Sequence, residues 1–320
     1  MRAVVITRYG DAETLQLADV PRPEPAAGEV LVRVHAAGIN PIDWKIRVGQ
    51  LRFFMPLRLP RTPGFDCSGE VVEVGQGVDD FQPGDEVFCF SNRFPGGCYA
   101  EYARVASWAC ARKPASVDHQ HAAGTPLAAL TALQCLRDNG RLQAGQDVLV
   151  NGASGGVGTF AVQIAKALGA RVTGVCSEKN IDLVRQLGAD DVIDYRRNDF
   201  TRADRRWHIV LDAVANRSFW SCRGVLTPHG RYVNTLPYPK HLLAHAATLA
   251  GALTLLGRRR AYTMWARPNH DDLRQMAQWI DEGQVRPVLD EVFPLEEAAA
   301  AHRKSEGGHV RGKVVLNVIQ

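Results

Sequence analysis

The alternation of hydrophobic and polar positions changes character once along the chain, near residue 119. Before that point, short runs with the two-residue period of a β-strand are separated by turns rich in Gly and Pro, such as Gln82-Pro83-Gly84-Asp85. The clearest predicted strands in this part are 30–36, 68–74, 85–90 and 99–105. Many short strands with such turns predict a β-barrel or a β-sandwich.

From residue 119 to about residue 283, apolar strand-like runs alternate with amphipathic helical segments. The predicted strands are 148–150, 171–176, 191–193 and 209–211, and the predicted helices include 160–168 and 181–187. This alternation is typical of a parallel, doubly wound sheet, and a strand pattern returns at 313–318. We therefore predict an α/β protein in which a β-rich domain (1–118 and 286–320) is interrupted by a doubly wound domain (119–285).

Length, charge and hydropathy exclude several classes of protein. A chain of 320 residues suits two domains, and its net charge of +4 comes from basic residues that are scattered along the sequence. This distribution gives little support to nucleic-acid binding. The most apolar later stretch, 242–256, is too short to span a bilayer and predicts a buried helix. We expect a protein that binds neither nucleic acid nor membranes.

The cysteines and the N-terminus indicate a reducing compartment. Seven cysteines are present, and no two of them have Cys-x-x-Cys spacing, which argues against a disulfide framework and against a compact zinc site. The first residues run into a strand-like segment without the apolar region of a signal peptide. We therefore expect a cytoplasmic location.

The most informative segment is 147–158, in which a predicted strand leads into a glycine-rich turn that opens a helix. Ala153, Gly155 and Gly158 occupy the three positions of a G-x-G-x-x-G dinucleotide fingerprint. The second position lets a pyrophosphate approach the backbone, and the N–H groups that begin the helix can bind the phosphates. The alternative is a plain tight turn, but such a turn would not require the strand before it, the helix after it and the next strand at 171–176. The predicted cofactor contacts in this turn are Ser154, Gly155, Gly156, Val157 and Gly158.

The end of the second strand of this domain bears on the choice between NADH and NADPH. Enzymes that use NAD usually place Asp or Glu there to bind the ribose hydroxyl groups, whereas this chain has Ser177. Lys179 and Tyr195 complete a set of groups that suits a 2′-phosphate, and we predict NADPH. Two alternatives remain, because Lys179 can be an ordinary exposed lysine and Glu178 can still reach a ribose.

Several separated motifs together resemble one known family. The run G-Q-x-x-L-x-x-x-A-S-G-G-x-G-x-x-x-x-Q-x-x-K over 145–166 is similar to the signature of the quinone oxidoreductase/ζ-crystallin branch of the medium-chain dehydrogenase/reductase superfamily. Further matching segments are 37–45, 63–70, 230–233 and 311–315. The resemblance covers essentially the whole chain. It implies a GroES-like β-barrel domain beside a Rossmann domain, an active site in the cleft between them, and a homodimer that pairs through the Rossmann domain.

Zinc alcohol dehydrogenases of the same superfamily differ from this chain at their metal ligands. Where they carry a thiolate and an imidazole, this chain has Asn40 and Phe65, and neither side chain can replace those ligands. Asp66 remains, but one carboxylate does not hold zinc. The zinc enzymes also have a lobe with four closely spaced cysteines, and this lobe is missing between Cys89 and Tyr99. We therefore expect no metal. Without a Lewis acid, alcohol oxidation is disfavoured.

The resemblance also implies candidate catalytic residues in the segment 40–45. It implies that Asn40 lies beside the nicotinamide and that Lys45 stands where bacterial quinone oxidoreductases carry tyrosine. Lys45 can donate a hydrogen bond to the carbonyl oxygen of a substrate or deliver a proton through water. The equally weighted alternative is that Asp43 and Lys45 form a structural pair.

Two further contacts are implied outside that segment. Thr131 is implied to lie near the nicotinamide, although a threonine inside a helix often bonds its own backbone instead. Arg311 and Lys313 can either contact the cofactor or simply flank the last strand, and the resemblance favours a contact for Arg311 only.

These residues lead to one main hypothesis and two alternatives. The main hypothesis is a zinc-independent, NADPH-dependent oxidoreductase that reduces quinones or α,β-unsaturated carbonyl compounds by hydride transfer. One alternative is an enoyl-thioester reductase of the same superfamily, which could use the arginines at 258–260 to anchor a carrier. The other is a scaffold protein that binds NADPH without turnover.

Overall fold

The computed structural model describes residues 1–53, 55–249 and 258–319, and the chain divides into two compact units. The first unit comprises Met1–Ala128, Arg267–Gly283 and Pro287–Gln320, and the second comprises Ala129–Ala266 and Gln284–Arg286. The sequence had led us to expect 119–128 and 267–283 in the doubly wound domain, and the structure assigns both segments to the first unit.

The strands are β1 (Arg2–Ile6), β2 (Leu15–Asp19), β3 (Glu29–Ile39), β4 (Asp66–Val74), β5 (Glu86–Phe90), β6 (Tyr102–Ala106), β7 (Cys110–Arg112), β8 (Asp147–Asn151), β9 (Arg171–Cys176), β10 (Asp191–Asp194), β11 (Trp207–Asp212), β12 (Leu226–Asn234), β13 (Arg260–Thr263), β14 (Leu289–Pro294) and β15 (Lys313–Asn317). The helices are α1 (Pro41–Arg47), α2 (His119–Ala123), α3 (Pro126–Gln134), α4 (Gly156–Ala167), α5 (Ile181–Gln186), α6 (Phe219–Cys222), α7 (Pro239–Leu249), α8 (His270–Asp281) and α9 (Ala298–Glu306).

The first unit is built on a mostly antiparallel sheet with the strand order β14-β15-β3-β4-β5-β7, and β6 also pairs with β3. Its core consists of the inward-facing apolar residues of these strands, such as Val30, Val32 and Val34 on β3. The predicted strands at 30–36, 68–74 and 85–90 correspond to β3, β4 and β5. The sheet brings together the ends of β3, β4 and β15, although β15 is distant from the other two in sequence.

Packing on this sheet explains why α2 and α8 belong to the first unit. Helix α2 lies so close to β3 that a Cβ atom on Gly38 would be 2.3 Å from the carbonyl oxygen of Ala123. The Nδ1 atom of His270, at the start of α8, lies 2.6 Å from the carbonyl oxygen of Cys110 on β7. At the other end of α8, Asp281 accepts a hydrogen bond from the backbone N–H of Ser116. Hydrophobic periodicity along the chain does not report such long-range contacts.

The second unit contains a six-stranded, parallel sheet with the strand order β10-β9-β8-β11-β12-β13. This is the 3-2-1-4-5-6 order of a Rossmann fold, in which the strand order reverses between β8 and β11. Ligands of such sheets bind outside the carboxyl ends of the strands at that reversal. The turn between β8 and α4 lies at this end of the sheet.

Helix α7 differs from the buried helix that we predicted over 242–256. The helix runs over Pro239–Leu249, and Leu242, Leu243 and Leu249 are 48%, 67% and 60% exposed. The rest of the predicted segment, 250–256, lies outside the residues that the structure describes. Apolar side chains of this helix are therefore exposed where we predicted burial, because hydropathy alone does not say which side of a helix is covered by other elements. Among the described residues, no helix is both long and apolar enough to cross a membrane.

Candidate functional site

The glycine-rich turn after β8 has the backbone conformation that a dinucleotide fingerprint requires. Gly152 has a positive φ of 83°, which favours glycine, and the N–H groups of Gly152 and Ala153 both bond to the carbonyl oxygen of Val175 on β9. At Gly158 an added Cβ atom would lie 2.0 Å from the carbonyl oxygen of Gly152. Glycine at position 158 therefore lets the first turn of α4 pack directly on the end of β8.

The N-terminus of α4 is open to an anion. Gly155 is the N-cap residue, and in the part of the chain that the structure describes no side chain caps the helix. The N–H groups of Gly156, Val157 and Gly158 belong to the first turn, where a helix offers no acceptor of its own. Among the described residues, a Cβ atom at Gly155 would approach only the carbonyl oxygen of Gly152, at 3.5 Å, so the side of this residue to which a Cβ would point is not crowded. These features fit the pyrophosphate of a dinucleotide.

Asn180 connects two of the predicted cofactor contacts, although it is not among the residues predicted from the sequence. Its Nδ2 donates a hydrogen bond to Ser154 Oγ over 2.9 Å and a longer one to Ser177 Oγ over 3.4 Å. Asn180 is largely buried, because it lies at the junction between β9 and α5. A polar residue at such a junction, three positions after Ser177, is the signal that could have identified it.

The carboxyl ends of β9 and β10 bring together the residues predicted to select NADPH. Cys176 and Asp194 are direct partners in the parallel pair, so Ser177–Lys179 and Tyr195 leave the sheet at the same edge. Ser177 is buried, whereas Lys179 and Tyr195 are exposed. The competing carboxylate, Glu178, forms an exposed ion pair with Arg197 over 2.7 Å. This edge therefore offers a hydroxyl, a phenol and cationic groups.

In the first unit, Asn40 stands at the junction between β3 and α1 and is only 1% exposed. Pro41 at the first helical position sets the start of α1, and the side chain of Asp43 accepts a hydrogen bond from the backbone N–H of Asn40 over 2.8 Å. The Asn40 side chain donates from Nδ2 to Asp66 Oδ2 over 2.8 Å. Its Oδ1 accepts a hydrogen bond from the ammonium group of Lys313.

Asp43 belongs to the same buried network. Tyr99 donates its hydroxyl hydrogen to Asp43 Oδ2 over 2.9 Å, and both side chains are fully buried. Burial raises the pKa of Asp43 to about 7, although the hydrogen bonds from Asn40 and Tyr99 oppose the shift. The alternative of a structural pair between Asp43 and Lys45 finds no support, because Asp43 takes its hydrogen bonds from Asn40 and Tyr99.

Asp66 and Lys313 form a buried ion pair beside Asn40. Lys313 Nζ lies 3.9 Å from Asp66 Oδ2 and donates a hydrogen bond to the carbonyl oxygen of Ile39 over 2.8 Å. Burial raises the pKa of Asp66 to about 7 against the effect of the Lys313 ammonium, and burial likewise lowers the pKa of Lys313. Lys313 therefore does more than flank the last strand. Its position at the head of the apolar strand β15 was the available signal.

The other predicted site residues lie in different surroundings. Lys45 is largely buried on α1, with its ammonium 5.4 Å from the centre of the Trp44 ring, and burial lowers its pKa. Thr131 is buried inside α3. Arg311 is exposed at the turn before β15, where Gly312 has a positive φ. The catalytic and cofactor-binding roles of these three residues stay predictions.

The structure also gathers four cysteines that their spacing in sequence did not connect. Cys67 faces Cys89 across β4 and β5, and Cys89 faces Cys110 across β5 and β7. Cys98 lies against Cys67, and all four thiols are fully buried in the core of the first unit. Over the described ranges 1–53, 55–249 and 258–319, no group of three or more His, Cys, Asp or Glu side chains is arranged to hold a metal ion.

Comparison with known proteins agrees with this architecture. Residues 26–115 match the family model of the alcohol dehydrogenase GroES-like domain, and residues 187–316 match that of the zinc-binding dehydrogenase. The chain is 34% identical to the chloroplastic quinone oxidoreductase QR1 of Triphysaria versicolor, covering 99% of this chain and 98% of the relative.

Solved structures of quinone oxidoreductases have the same fold as this chain over nearly its whole length. The quinone oxidoreductase of Coxiella burnetii superposes with a TM-score of 0.89 at 32% identity, covering 100% of this chain and 99% of the other. The Escherichia coli quinone oxidoreductase, solved in complex with NADPH, superposes with a TM-score of 0.83 at 25% identity and covers 99% and 100% of the two chains.

A GroES-like domain and a Rossmann domain with an open phosphate-binding turn define an oxidoreductase of the medium-chain dehydrogenase/reductase type. Within that superfamily, the chain belongs to the zinc-independent quinone oxidoreductase branch. The resemblance inferred from the sequence motifs is thereby confirmed.

Proposed function

We propose that this protein is an NADPH-dependent reductase of quinones or α,β-unsaturated carbonyl compounds. The observation that carries the proposal is the uncapped N-terminus of α4 next to the polar edge formed by Ser177, Lys179 and Tyr195. Glu178, the carboxylate that follows Ser177 at this edge, is paired with Arg197. The relatives named as quinone oxidoreductases, one of them solved with NADPH, support the same substrate and cofactor.

The cofactor and the side chains of the protein have separate roles in such a reaction. Bound NADPH supplies the hydride. The protein must orient the acceptor and stabilise the negative charge that develops on its carbonyl oxygen. We assign hydrogen-bond donation to Asn40. Lys45 is assigned proton delivery, because burial lowers its pKa and a lysine with a lowered pKa releases its proton more readily.

The cofactor preference can be measured by quenching of tryptophan fluorescence. We expect NADPH to bind more tightly than NADH, because Lys179 can pair with the 2′-phosphate, and Lys179→Ala should reduce this preference by about tenfold. Arg185→Ala removes an exposed cation from α5 and serves as the control. Tighter binding of NADH than of NADPH by the wild type would contradict the cofactor proposal. NADPH binding without oxidation of NADPH by any quinone or enone in a broad panel would contradict the reductase proposal.

A substitution at Lys45 tests its part in catalysis. We expect Lys45→Ala to lower kcat for a short enone by about 100-fold, the usual scale of general acid catalysis, with NADPH affinity unchanged. Lys45→Arg separates hydrogen-bond donation from proton delivery, since arginine keeps the charge and its donors but does not release a proton at neutral pH. An unchanged kcat in Lys45→Ala would exclude Lys45 from the reaction.

No specific observation favours the enoyl-thioester alternative. Arg259 donates a hydrogen bond to the carbonyl oxygen of Leu226, and Arg260 donates one to that of Thr248. These two side chains are thus used to hold β13 in the second unit. They are poorly placed to serve as anchors for a carrier.

We further propose a homodimer that forms through the second unit. Strand β13 is at the edge of the six-stranded sheet of the described residues, and α7 beside it carries the exposed Leu242, Leu243 and Leu249. Trp265 follows β13 and is 55% exposed. An unpaired edge strand next to exposed apolar side chains suits pairing with a second copy. Sedimentation velocity should give twice the mass of the chain.

The state of the cysteines supports the proposal of a cytoplasmic location. All seven are free thiols and all seven are buried. Free thiols persist in reducing compartments.

A further inference from the structure

We propose that Lys313 and Asp66 are positioning residues that hold the Asn40 amide in one orientation, so that Asn40 acts on a bound ligand only as a hydrogen-bond donor. The proposal rests on the proposed function, because it takes Asn40 to be the residue beside the reacting groups. It concerns three side chains of the first unit that are each no more than 3% exposed.

The two polar atoms of the Asn40 amide contact groups of opposite charge, the ammonium of Lys313 at Oδ1 and the carboxylate of Asp66 at Nδ2. Lys313 can only donate hydrogen bonds, so its contact with Oδ1 identifies that atom as the acceptor. Asp66 Oδ2 accepts a hydrogen bond from Nδ2 over 2.8 Å. Rotating the amide by half a turn would place Nδ2 against an ammonium and Oδ1 against a carboxylate. The ion pair therefore selects one of the two orientations.

The two positioning residues are themselves held by backbone groups. Lys313 Nζ also bonds to the carbonyl oxygen of Ile39, the residue directly before Asn40. Asp66 Oδ1 accepts a hydrogen bond from the backbone N–H of Leu127 over 2.9 Å. Neither side chain can swing away from Asn40 without leaving a buried polar group unsatisfied, which costs about 1–3 kcal/mol for a neutral group and more for a charged one.

Stability alone does not explain a buried ion pair at this place. Removing two charges from water costs several kcal/mol per ion, and apolar residues of similar volume often give equal or greater stability. Lys313 begins a strand whose next three residues, Val314, Val315 and Leu316, are apolar and buried. A fourth apolar residue would fit that pattern. The charge is thus better explained by its contact with Asn40.

The consequence for a ligand follows from the hydrogen-bond inventory of an amide. Nδ2 carries two hydrogens, and Asp66 takes one of them, so one N–H remains for a ligand. Oδ1 already accepts from Lys313. Because hydrogen bonds in a chain polarise one another, the contact with the Lys313 ammonium strengthens the remaining N–H as a donor. Asn40 is therefore suited to bind a carbonyl oxygen, either of the nicotinamide carboxamide or of the substrate.

A double-mutant cycle with Asn40 separates positioning from a structural role. We expect Lys313→Met to lower the rate of hydride transfer from NADPH to a quinone by about tenfold in the wild-type background, and to have little further effect in the Asn40→Ala background. Lys304→Met, which removes an exposed lysine of α9, is the control and should leave the rate unchanged. Equal losses in both backgrounds, or no loss in the wild type, would overturn the proposal. If Lys313→Met does not fold, Asp66→Asn takes its place in the same cycle.

A second measurement needs neither cofactor nor turnover. In protein labelled with ¹⁵N on asparagine, the Nδ2 signal of Asn40 is identified by its loss in Asn40→Ala. We expect its hydrogens to exchange with water far more slowly than those of the exposed Asn198, and Asp66→Asn or Lys313→Met to abolish this protection. Exchange as fast as that of Asn198 in the wild type would overturn the proposal. If protection is found but no acceptor is reduced, the amide is held as proposed and only the reductase function fails.

Discussion

Replacing Gly155 with alanine is expected to weaken NADPH binding by about 100-fold, or roughly 2.8 kcal/mol, while the second unit stays folded. The added Cβ atom meets no protein atom closer than 3.5 Å, and the backbone φ of −87° is open to any residue. The methyl group would occupy the space in front of the α4 N-terminus that the pyrophosphate needs. Fluorescence titration gives the dissociation constant, and thermal melting reports the stability of the fold.

Two other glycines serve as comparisons for this prediction. Gly158→Ala should destabilise the second unit itself, because its Cβ would lie 2.0 Å from the carbonyl oxygen of Gly152. Gly224→Ala should change neither binding nor stability noticeably, since no atom of the described residues lies within 4 Å of its added Cβ. If Gly155→Ala bound NADPH as tightly as the wild type, the turn would not be the phosphate site.

The second large effect concerns the dependence of stability on pH. Burial raises the folded-state pKa of Asp43 from 3.8 to about 7, so the folded protein binds more protons than the unfolded chain between these values. The contribution of Asp43 to stability is therefore greatest below pH 4 and is lost as the pH rises to 7, by up to about 1.4 kcal/mol per pH unit. Asp66 has the same direction of shift.

Asp43→Asn isolates one of these two carboxyl groups. Its amide oxygen can still accept the hydrogen bonds from Asn40 and Tyr99, but the side chain no longer ionises. We expect the free energy of unfolding in urea to fall less steeply between pH 5 and pH 7 in the variant than in the wild type. Asp79→Asn, at an exposed carboxylate, should keep the wild-type slope. Equal slopes for Asp43→Asn and the wild type would show that Asp43 is ionised throughout this range.

Much of the second unit followed from local pattern. Strand β9 has the predicted bounds, 171–176, and α5 begins at the predicted Ile181. Helix α4 begins at Gly156, four residues before the predicted start at 160. The difference arises because the first turn of this helix is built of glycines and valine, which carry no amphipathic signal. The phosphate turn was identified because its residues are adjacent in sequence.

The site in the first unit was predicted less completely. Asn40 and Lys45 were singled out by resemblance to known relatives, while Lys313 was expected to flank the last strand. Lys313 and Asn40 are 273 positions apart, and only the pairing of β15 with β3 brings them together. A structural pair of Asp43 with Lys45 was one of two equally weighted alternatives, whereas the tertiary packing joins Asp43 to Tyr99, 56 positions away.

The sequence by itself determined the α/β class, the alternation of strands and helices on both sides of the glycine-rich turn, and the suitability of that turn for a dinucleotide, because each depends on neighbouring residues. The tertiary structure decided which unit α2 and α8 join, which groups surround Asn40, and how the four buried thiols meet. These depend on pairings between distant strands, and the free energy of such contacts comes from burial and hydrogen bonds that no local pattern records.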